Sequence, residues 1–256
     1  MSKPEKVTDN DRQEYAGQLP VVEIFWTGGF DSTFRVVQLS RREVFIQPYY
    51  LSDQRQSEEN ELKAVTDIME ALKKHPDTRC VFGEPVYVSV EERKENADVR
   101  EAYQKLREKE FFGTQYEWLG VYAMEHKGIE LSIHEDDKAV LLINKYGKFK
   151  QVEDEIAGGY RILDREASSP YLAALFENYH FPLIDCKKTD MKAFYTTNGY
   201  EHIMDMTWFC YHPIHGKPCG ICNPCMYTIE EGMKERFTKA ALVRYHCKKW
   251  IKRIKP

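Results

Sequence analysis

The chain has 256 residues, of which 42% are hydrophobic, and a formal net charge of −4, so it suits one large domain or one domain with a small appendage. The mixed charge gives no general case for binding nucleic acid, and no run approaches the roughly 20 apolar residues that cross a bilayer. The polar N-terminus lacks the apolar centre of a secretory signal. We therefore expect a cytoplasmic protein whose seven cysteines do not form a disulfide framework and in part hold a metal.

Strands and helices alternate along the first half of the chain. Short apolar runs predict strands at 21–26, 44–53, 84–90 and 129–133. Helical spacing of apolar residues predicts helices at 32–43, 57–75 and 116–128, and Ser57 is placed to cap the second of these. Residues 91–110 are so highly charged that they predict a solvated helix or a lid.

The second half is less regular, with turn glycines and charges from about residue 144 and helices predicted at 171–179 and 187–199. The alternation predicts an α/β fold, a parallel sheet with helices on both faces, over residues 21–185. An N-terminal tail (1–20) precedes it, and a C-terminal metal-binding helical region (186–256) follows.

A glycine-rich turn, WTGGFDST (26–33), joins the first predicted strand to the first helix. Glycines let backbone N–H groups point at an anion, and the helix N-terminus adds its positive dipole end. Thr27, Ser32 and Thr33 offer hydroxyl donors, and Asp31 could cap the helix or position a Mg²⁺ ion. The turn contains neither G-x-G-x-x-G nor the lysine of a Walker A motif. It predicts phosphate binding, against the simpler interpretation of a tight turn before a capped helix.

A cysteine-rich stretch, CYHPIHGKPCGICNPC, places Cys210, Cys219, Cys222 and Cys225 in one loop. Two C-x-x-C steps that share Cys222 suit a closed tetrahedral Zn²⁺ site of the structural kind. An iron–sulfur cluster, free buried thiols and a redox C-x-x-C remain alternatives. His212 and His215, inside the loop, could replace a cysteine ligand.

The turn resembles the S-G-G-x-D-S loop of the PP-loop ATP pyrophosphatases, with Thr27 in the place of the usual serine. This resemblance implies an adenine nucleotide alpha-hydrolase-like fold and binding of ATP with Mg²⁺. The pyrophosphate contacts that it implies are Thr27, Gly28, Gly29, Asp31, Ser32 and Thr33. The end of the second strand, in particular Tyr50 and Leu51, is implied to meet the adenine.

Within that group the chain resembles the 7-cyano-7-deazaguanine synthases of the queuosine pathway. TWFCYHPIHGKPCGICNPC (207–225) is similar to their T-W-x-C and C-G-x-C-x-x-C segments, PLIDCKKTDM (182–191) to a lysine-bearing stretch, and SDQRQSEENE (52–61) to a Q-R-x-x-x-E segment. The chain departs from the family at Thr114 and Gln115. It departs again over 132–148, where the substrate segment keeps only Asp137.

The resemblance implies an ATP-dependent ligase that forms carbon–nitrogen bonds. It adenylates a carboxylate or amide of a 7-deazaguanine-type substrate and releases AMP and pyrophosphate. Ammonia then yields an amide or nitrile, and a protein amine would yield a conjugate. The expected catalytic residues are Ser32, Asp31, Arg55 and Lys188. The resemblance also implies a homodimer.

Three further side chains are candidates for the substrate. His134 and Asp137 follow the fourth predicted strand, where ligands bind in open α/β sheets, unless they simply face water. Trp208 could stack on a planar substrate or pack beneath the cysteine loop.

Two other functions stay open. The basic C-terminal stretch (234–256) would suit a PP-loop enzyme that modifies tRNA, although nucleic acid binding is not our leading expectation. A nucleotide-binding subunit that senses ATP without cleaving it is the other alternative.

Overall fold

A parallel sheet organises the protein, which a computed structural model describes over residues 18–135 and 137–254. The strands, in chain order, are β1 (Val21–Phe25), β2 (Phe45–Leu51), β3 (Val81–Phe82), β4 (Val86–Val88), β5 (Ile129–Glu130), β6 (Phe149–Val152), β7 (Tyr160–Leu163) and β8 (Tyr179–His180). The spatial order is β3-β2-β1-β5-β8, with β4 also paired to β2, and every pair in this sheet is parallel. The predicted parallel α/β fold is therefore confirmed.

Helices connect these strands and continue beyond the last one. They are α1 (Phe30–Ser40), α2 (Glu58–Lys74), α3 (Ala97–Arg107), α4 (Gln115–Ala123), α5 (Lys138–Tyr146), α6 (Pro170–Phe176), α7 (Lys188–Thr197), α8 (Glu201–Met204), α9 (Asn223–Glu230) and α10 (Lys239–Ile254), with a 3₁₀ turn at Lys234–Arg236. Residues 1–17 of the predicted N-terminal tail lie outside the described residues.

Both faces of the sheet carry a hydrophobic core, as the alternation of side chains along β1 requires. Val22, Ile24 and Trp26 pack on one face with residues of α1, α2 and α8. Phe25, on the opposite face, packs with residues of α3, α4 and α6. The predicted helices on both faces are confirmed.

Two local predictions are wrong in part. The charged stretch 91–110 does contain a helix, α3, but Val99, Tyr103 and Leu106 of that helix are buried in the core, so it is neither fully solvated nor a lid. Ser57 is the N-cap residue of α2, but its side chain makes no capping hydrogen bond, and its hydroxyl donates to the Glu61 carboxylate at 2.6 Å. The irregular stretch after residue 144 contains the antiparallel hairpin β6–β7, which the sequence pattern did not predict.

A buried ion pair joins α1 to β5. Arg35 Nε and Nη2 donate to the two carboxylate oxygens of Glu130 at 2.7 and 2.5 Å, and Nη2 also donates to the Ala157 carbonyl at 3.0 Å. The two side chains are 4% and 2% exposed. Because both are removed from water, their mutual pairing is required to offset the cost of burying the charges.

Candidate functional site

The glycine turn lies directly after β1 and is held against α2. Gly28 has φ +68°, and a Cβ atom there would lie 2.9 Å from the Glu61 carbonyl oxygen and 3.0 Å from Ala64 Cβ. Only glycine combines this left-handed backbone with so close an approach. Helix α1 then begins at Phe30, and its first intrahelical bond runs from the Thr33 N–H to the Gly29 carbonyl at 3.0 Å. The amides of residues 30–32 therefore precede the first bonded turn of the helix.

The turn borders a cleft of about 840 Å³ at the carboxyl end of β1 and β2. The predicted residues Thr27, Gly29, Asp31 and Ser32 line it. From β1 the chain adds β2 and β3 on one side of the sheet, and it then adds β5 and β8 on the other side. Open α/β sheets bind ligands at such a change of direction, at the carboxyl ends of the strands. A larger cavity of about 1160 Å³ lies around Pro20, Arg42 and Arg79, and none of the predicted site residues lines it.

Thr33 does not reach this cleft. Its side chain is fully buried, and its hydroxyl accepts a hydrogen bond from Trp26 Nε1 at 3.0 Å. Its amide is used within α1, as described above. The structure thus places Thr33 beneath the turn, where it supports the loop instead of facing a ligand.

The end of β2 separates neighbouring tyrosines onto opposite faces. Tyr49 and Leu51 line the cleft, whereas Tyr50 is buried and donates from its hydroxyl to Glu61 Oε2 at 2.9 Å. Side chains alternate along a strand, so adjacent residues cannot both face the same cavity. Of the two residues expected to meet adenine, Leu51 is in the cleft and Tyr50 is not.

Asp31 places a buried carboxylate oxygen at the cleft. Its Oδ1 is buried and accepts no hydrogen bond within the described part of the chain, and His134 Nε2 lies 4.0 Å away. Burial raises the pKa of the Asp31 carboxyl above its usual value, against the opposing effects of His134 and Lys188. A buried carboxylate oxygen without a donor suits a cation, and carboxylate oxygen is a ligand that Mg²⁺ accepts.

The two predicted cationic residues occupy different positions. Arg55 lines the cleft, and its Nε donates to Asp53 Oδ1 at 2.6 Å while Nη1 lies 3.7 Å from Glu61 Oε1. Lys188, at the start of α7, is exposed, and its Nζ lies 6.0 Å from the centre of the Phe30 ring. Arg55 therefore belongs to the lining of the cleft, and Lys188 stands outside it.

Asp137 and Trp208 have structural partners. Asp137 is the N-cap of α5, where its Oδ1 accepts from the Ala139 N–H at 2.8 Å and from the Tyr116 hydroxyl at 3.3 Å. Trp208 packs against the core beside α1 and against the cysteine region. His134, only 8% exposed, is placed beside Asp31, with its Nε2 4.0 Å from Asp31 Oδ1.

The four predicted metal ligands converge. The sulfurs of Cys210, Cys219, Cys222 and Cys225 all lie within 4.8 Å of one another, with Cys219 and Cys225 3.8 Å apart and Cys210 and Cys222 4.0 Å apart. A zinc–sulfur bond of about 2.3 Å in a tetrahedron separates its sulfurs by about 3.8 Å. The group could therefore hold a metal such as zinc. The other three cysteines of the chain, Cys80, Cys186 and Cys247, do not belong to it.

Hydrogen bonds within the loop point at these sulfurs. The Cys219 N–H donates to Cys210 Sγ at 3.2 Å, and the Ile221 and Cys222 N–H groups donate to Cys219 Sγ at 3.3 Å. Hydrogen bonding from Cys210 and then Cys225 lowers the pKa of the Cys222 thiol, while hydrogen bonding with Cys222 raises the pKa of Cys210 to about 12. Amide donors to thiolate sulfur favour the deprotonated form that binds metal.

Helix α10 supports the cysteine loop. Arg244 Nε donates to the Cys219 carbonyl at 2.8 Å, and Lys248 Nζ donates to the Ile221 carbonyl at 2.7 Å. Gly220, with φ +80°, lies so close to α10 that a Cβ atom there would be 2.2 Å from the Ala241 carbonyl oxygen. Two cations of the basic C-terminal stretch thus bind the protein itself, and the side chains of residues 252–256 lie outside the described residues.

Sequence reasoning missed a further part of the cleft lining, residues 111–115 with Trp118. The Phe111 side chain there is 70% exposed, and its ring centre lies 4.4 Å from Arg107 Cζ and 5.0 Å from Lys138 Nζ. Tyr211 and His212 complete the lining from the cysteine loop, where His212 Nδ1 lies 3.1 Å from Gln56 Oε1. His212 was considered as a metal ligand, but the four-sulfur group does not include it.

Neither a protein-family model nor a curated protein matches this chain. In the described part of the chain, no helix is both long and apolar enough to cross a membrane.

Proposed function

We propose that the protein uses ATP with Mg²⁺ to adenylate a carboxylate on a 7-deazaguanine-type substrate and then joins the activated carbon to a nitrogen nucleophile. The observation that carries this proposal is that Thr27, Gly29, Asp31 and Ser32 line one cleft, where a buried Asp31 carboxylate oxygen accepts no hydrogen bond from the described residues. The resemblance of the turn and of the cysteine spacing to the 7-cyano-7-deazaguanine synthases supplies the reaction class.

In this reaction a substrate carboxylate oxygen bonds to the α-phosphorus of ATP. The bond from that phosphorus to the bridging oxygen breaks, and pyrophosphate leaves with the electron pair. Ammonia then bonds to the acyl carbon as the carbon–oxygen bond to AMP breaks, which yields an amide, AMP and a proton. A second ATP would adenylate the amide oxygen with release of pyrophosphate, and loss of AMP and two protons would then give the nitrile. A protein amine in place of ammonia would give a conjugate.

The residues of the turn have an electrostatic task in this scheme. The amides of residues 30–32 and the hydroxyls of Thr27 and Ser32 would donate to the phosphate oxygens, and Arg55, which also lines the cleft, would meet the α-phosphate. Donors fixed in advance stabilise the charge that develops on the leaving group without reorganising. Asp31 would hold Mg²⁺, which neutralises charge on the departing pyrophosphate.

The four-cysteine group has a structural role in the proposal, with Zn²⁺ as its metal. A closed set of four thiolates leaves no open position for substrate. The aromatic side chains of the cleft, among them Phe25, Tyr49 and Trp118, suit the planar rings of a purine-like substrate and of adenine.

A single assay tests this function. The purified protein is incubated with ATP, Mg²⁺, ammonium and 7-carboxy-7-deazaguanine, and the products are identified by chromatography and mass spectrometry. We expect AMP and pyrophosphate together with an amide or nitrile of the base. AMP without either product would indicate a different nucleophile, whereas ADP and phosphate would contradict the proposed bond cleavage.

Asp31→Asn is the variant that ties the activity to the turn. Loss of the carboxylate should slow AMP release by about 100-fold or more, since it weakens charge stabilisation at the leaving group. Asp67→Asn is the matched control, because Asp67 pairs with Lys63 on the exposed face of α2. Equal rates in the two variants would contradict the assigned role of Asp31.

A further inference from the structure

Trp208 connects the cysteine loop to the glycine turn through two hydrogen bonds. Its backbone N–H donates to the Gly28 carbonyl at 2.8 Å, and its indole Nε1 donates to the Cys210 carbonyl at 2.8 Å. Cys210 is one of the four clustered cysteines, and Gly28 is the left-handed residue of the turn. Trp208 therefore contacts the glycine turn through its backbone N–H and the cysteine loop through its side chain.

The packing of Trp208 follows the same path. Its ring, half-buried, contacts the core that contains Trp26 and Phe34 beneath the turn and also the smaller core that contains Cys210 and Cys225. Its carbonyl oxygen lies 3.8 Å from the position of a Cβ atom on Gly29. Only Phe209 stands between Trp208 and Cys210 in the sequence. A shift of the Cys210 backbone is therefore expected to move Trp208 as well.

We propose that Trp208 is a positioning residue that couples the four-cysteine group to the glycine turn, so that a metal on the sulfurs and a nucleotide at the turn stabilise one another. The nucleotide part of this inference rests on the proposed function. Its physical basis is that a metal bound to Cys210 fixes the Cys210 carbonyl, which accepts a hydrogen bond from the Trp208 indole. The backbone N–H of Trp208 in turn donates to the Gly28 carbonyl. Coupling of this kind is reciprocal and typically changes an affinity by about 5- to 150-fold.

The first experiment measures backbone amide exchange in the glycine turn without any nucleotide. Hydrogen–deuterium exchange of residues 26–33 is compared in Zn²⁺-loaded and chelator-treated protein, with residues 45–51 of β2 as the internal reference. We expect faster exchange at 26–33 after metal removal while β2 is unchanged. Unchanged exchange at the turn, with the metal shown to be absent, would overturn the proposal.

The second experiment isolates the indole hydrogen bond with Trp208→Phe, which keeps an aromatic ring and the backbone N–H. The matched control is Trp250→Phe, since Trp250 is 66% exposed on α10. Both variants are loaded with Co²⁺, and the sulfur-to-cobalt absorption bands show whether the four-sulfur site is assembled. We expect the same spectrum in both variants and faster exchange at 26–33 only in Trp208→Phe, a comparison that needs no metal-free protein.

The third experiment measures the coupling itself. The affinity for α,β-methylene-ATP with Mg²⁺ is measured on metal-loaded and metal-free protein. The wild type and Trp250→Phe should lose about 5- to 150-fold on metal removal, and Trp208→Phe should lose markedly less. An equal loss in Trp208→Phe would overturn the proposal. If loaded wild type binds no nucleotide while its exchange still depends on metal, the proposed function fails and the positioning role stands.

Discussion

Gly28→Ala tests whether the turn is built around a close approach to α2. Residue 28 has φ +68°, which costs a non-glycine residue about 1–2 kcal/mol. The added Cβ would also lie 2.9 Å from the Glu61 carbonyl oxygen and 3.0 Å from Ala64 Cβ, so α2 must shift, and overpacking of this kind costs about 1–3 kcal/mol. We therefore expect the free energy of unfolding to fall by about 2–5 kcal/mol.

Gly199→Ala separates the two contributions. Gly199 has a similar φ of +77°, but a Cβ atom there would have no neighbour within 4 Å. This variant should lose only the backbone contribution of about 1–2 kcal/mol. Urea denaturation followed by circular dichroism gives both values under the same conditions. If the two variants lose the same free energy, the contact between the turn and α2 has no energetic weight and the reasoning is refuted.

Three further predictions concern the pairing of buried or half-buried groups. Glu130→Ala leaves the Arg35 guanidinium buried without its carboxylate and should lower the free energy of unfolding by about 3–5 kcal/mol in urea denaturation. Arg244→Ala removes the donor to the Cys219 carbonyl and should weaken Zn²⁺ affinity by about 10-fold or more in competition with a chromogenic chelator. Burial, and next Glu23, raise the pKa of Tyr122 to about 12, above its ordinary value of 10.0. The stabilising effect of the neutral phenol is therefore present below pH 10.0 and lost as the pH rises towards 12, so wild type should lose stability relative to Tyr122→Phe across that range.

Matched variants control these measurements. Glu125→Ala removes an exposed carboxylate that pairs with Lys94, and a similar loss for it and for Glu130→Ala would contradict a special cost of the buried pair. Lys249→Ala removes a cation of α10 that pairs with Glu230 instead of the cysteine loop, and it should retain metal. Tyr227→Phe changes a tyrosine that is 60% exposed. If it reproduces the alkaline behaviour of Tyr122→Phe, the burial argument fails.

The sequence by itself determined the features that depend on near neighbours in the chain. The short apolar run at 21–26 predicted a buried strand, and the structure places Val22 and Phe25 in different cores. The two C-x-x-C steps predicted a four-sulfur group because chelate spacing is a local property. The GG pair predicted a turn that needs glycine, and Gly28 has the left-handed backbone that only glycine adopts readily.

Only the tertiary structure decided which side of an element each group faces and what meets it there. Thr33 is turned towards Trp26, Tyr50 towards Glu61, and Arg35 towards a carboxylate 95 residues away. Trp208 packs against the cysteine core, one of its two expected uses, and it also joins the Gly28 and Cys210 carbonyls. These outcomes depend on packing between segments that are far apart in the chain. A local pattern of residue types does not specify which distant segment a side chain will contact.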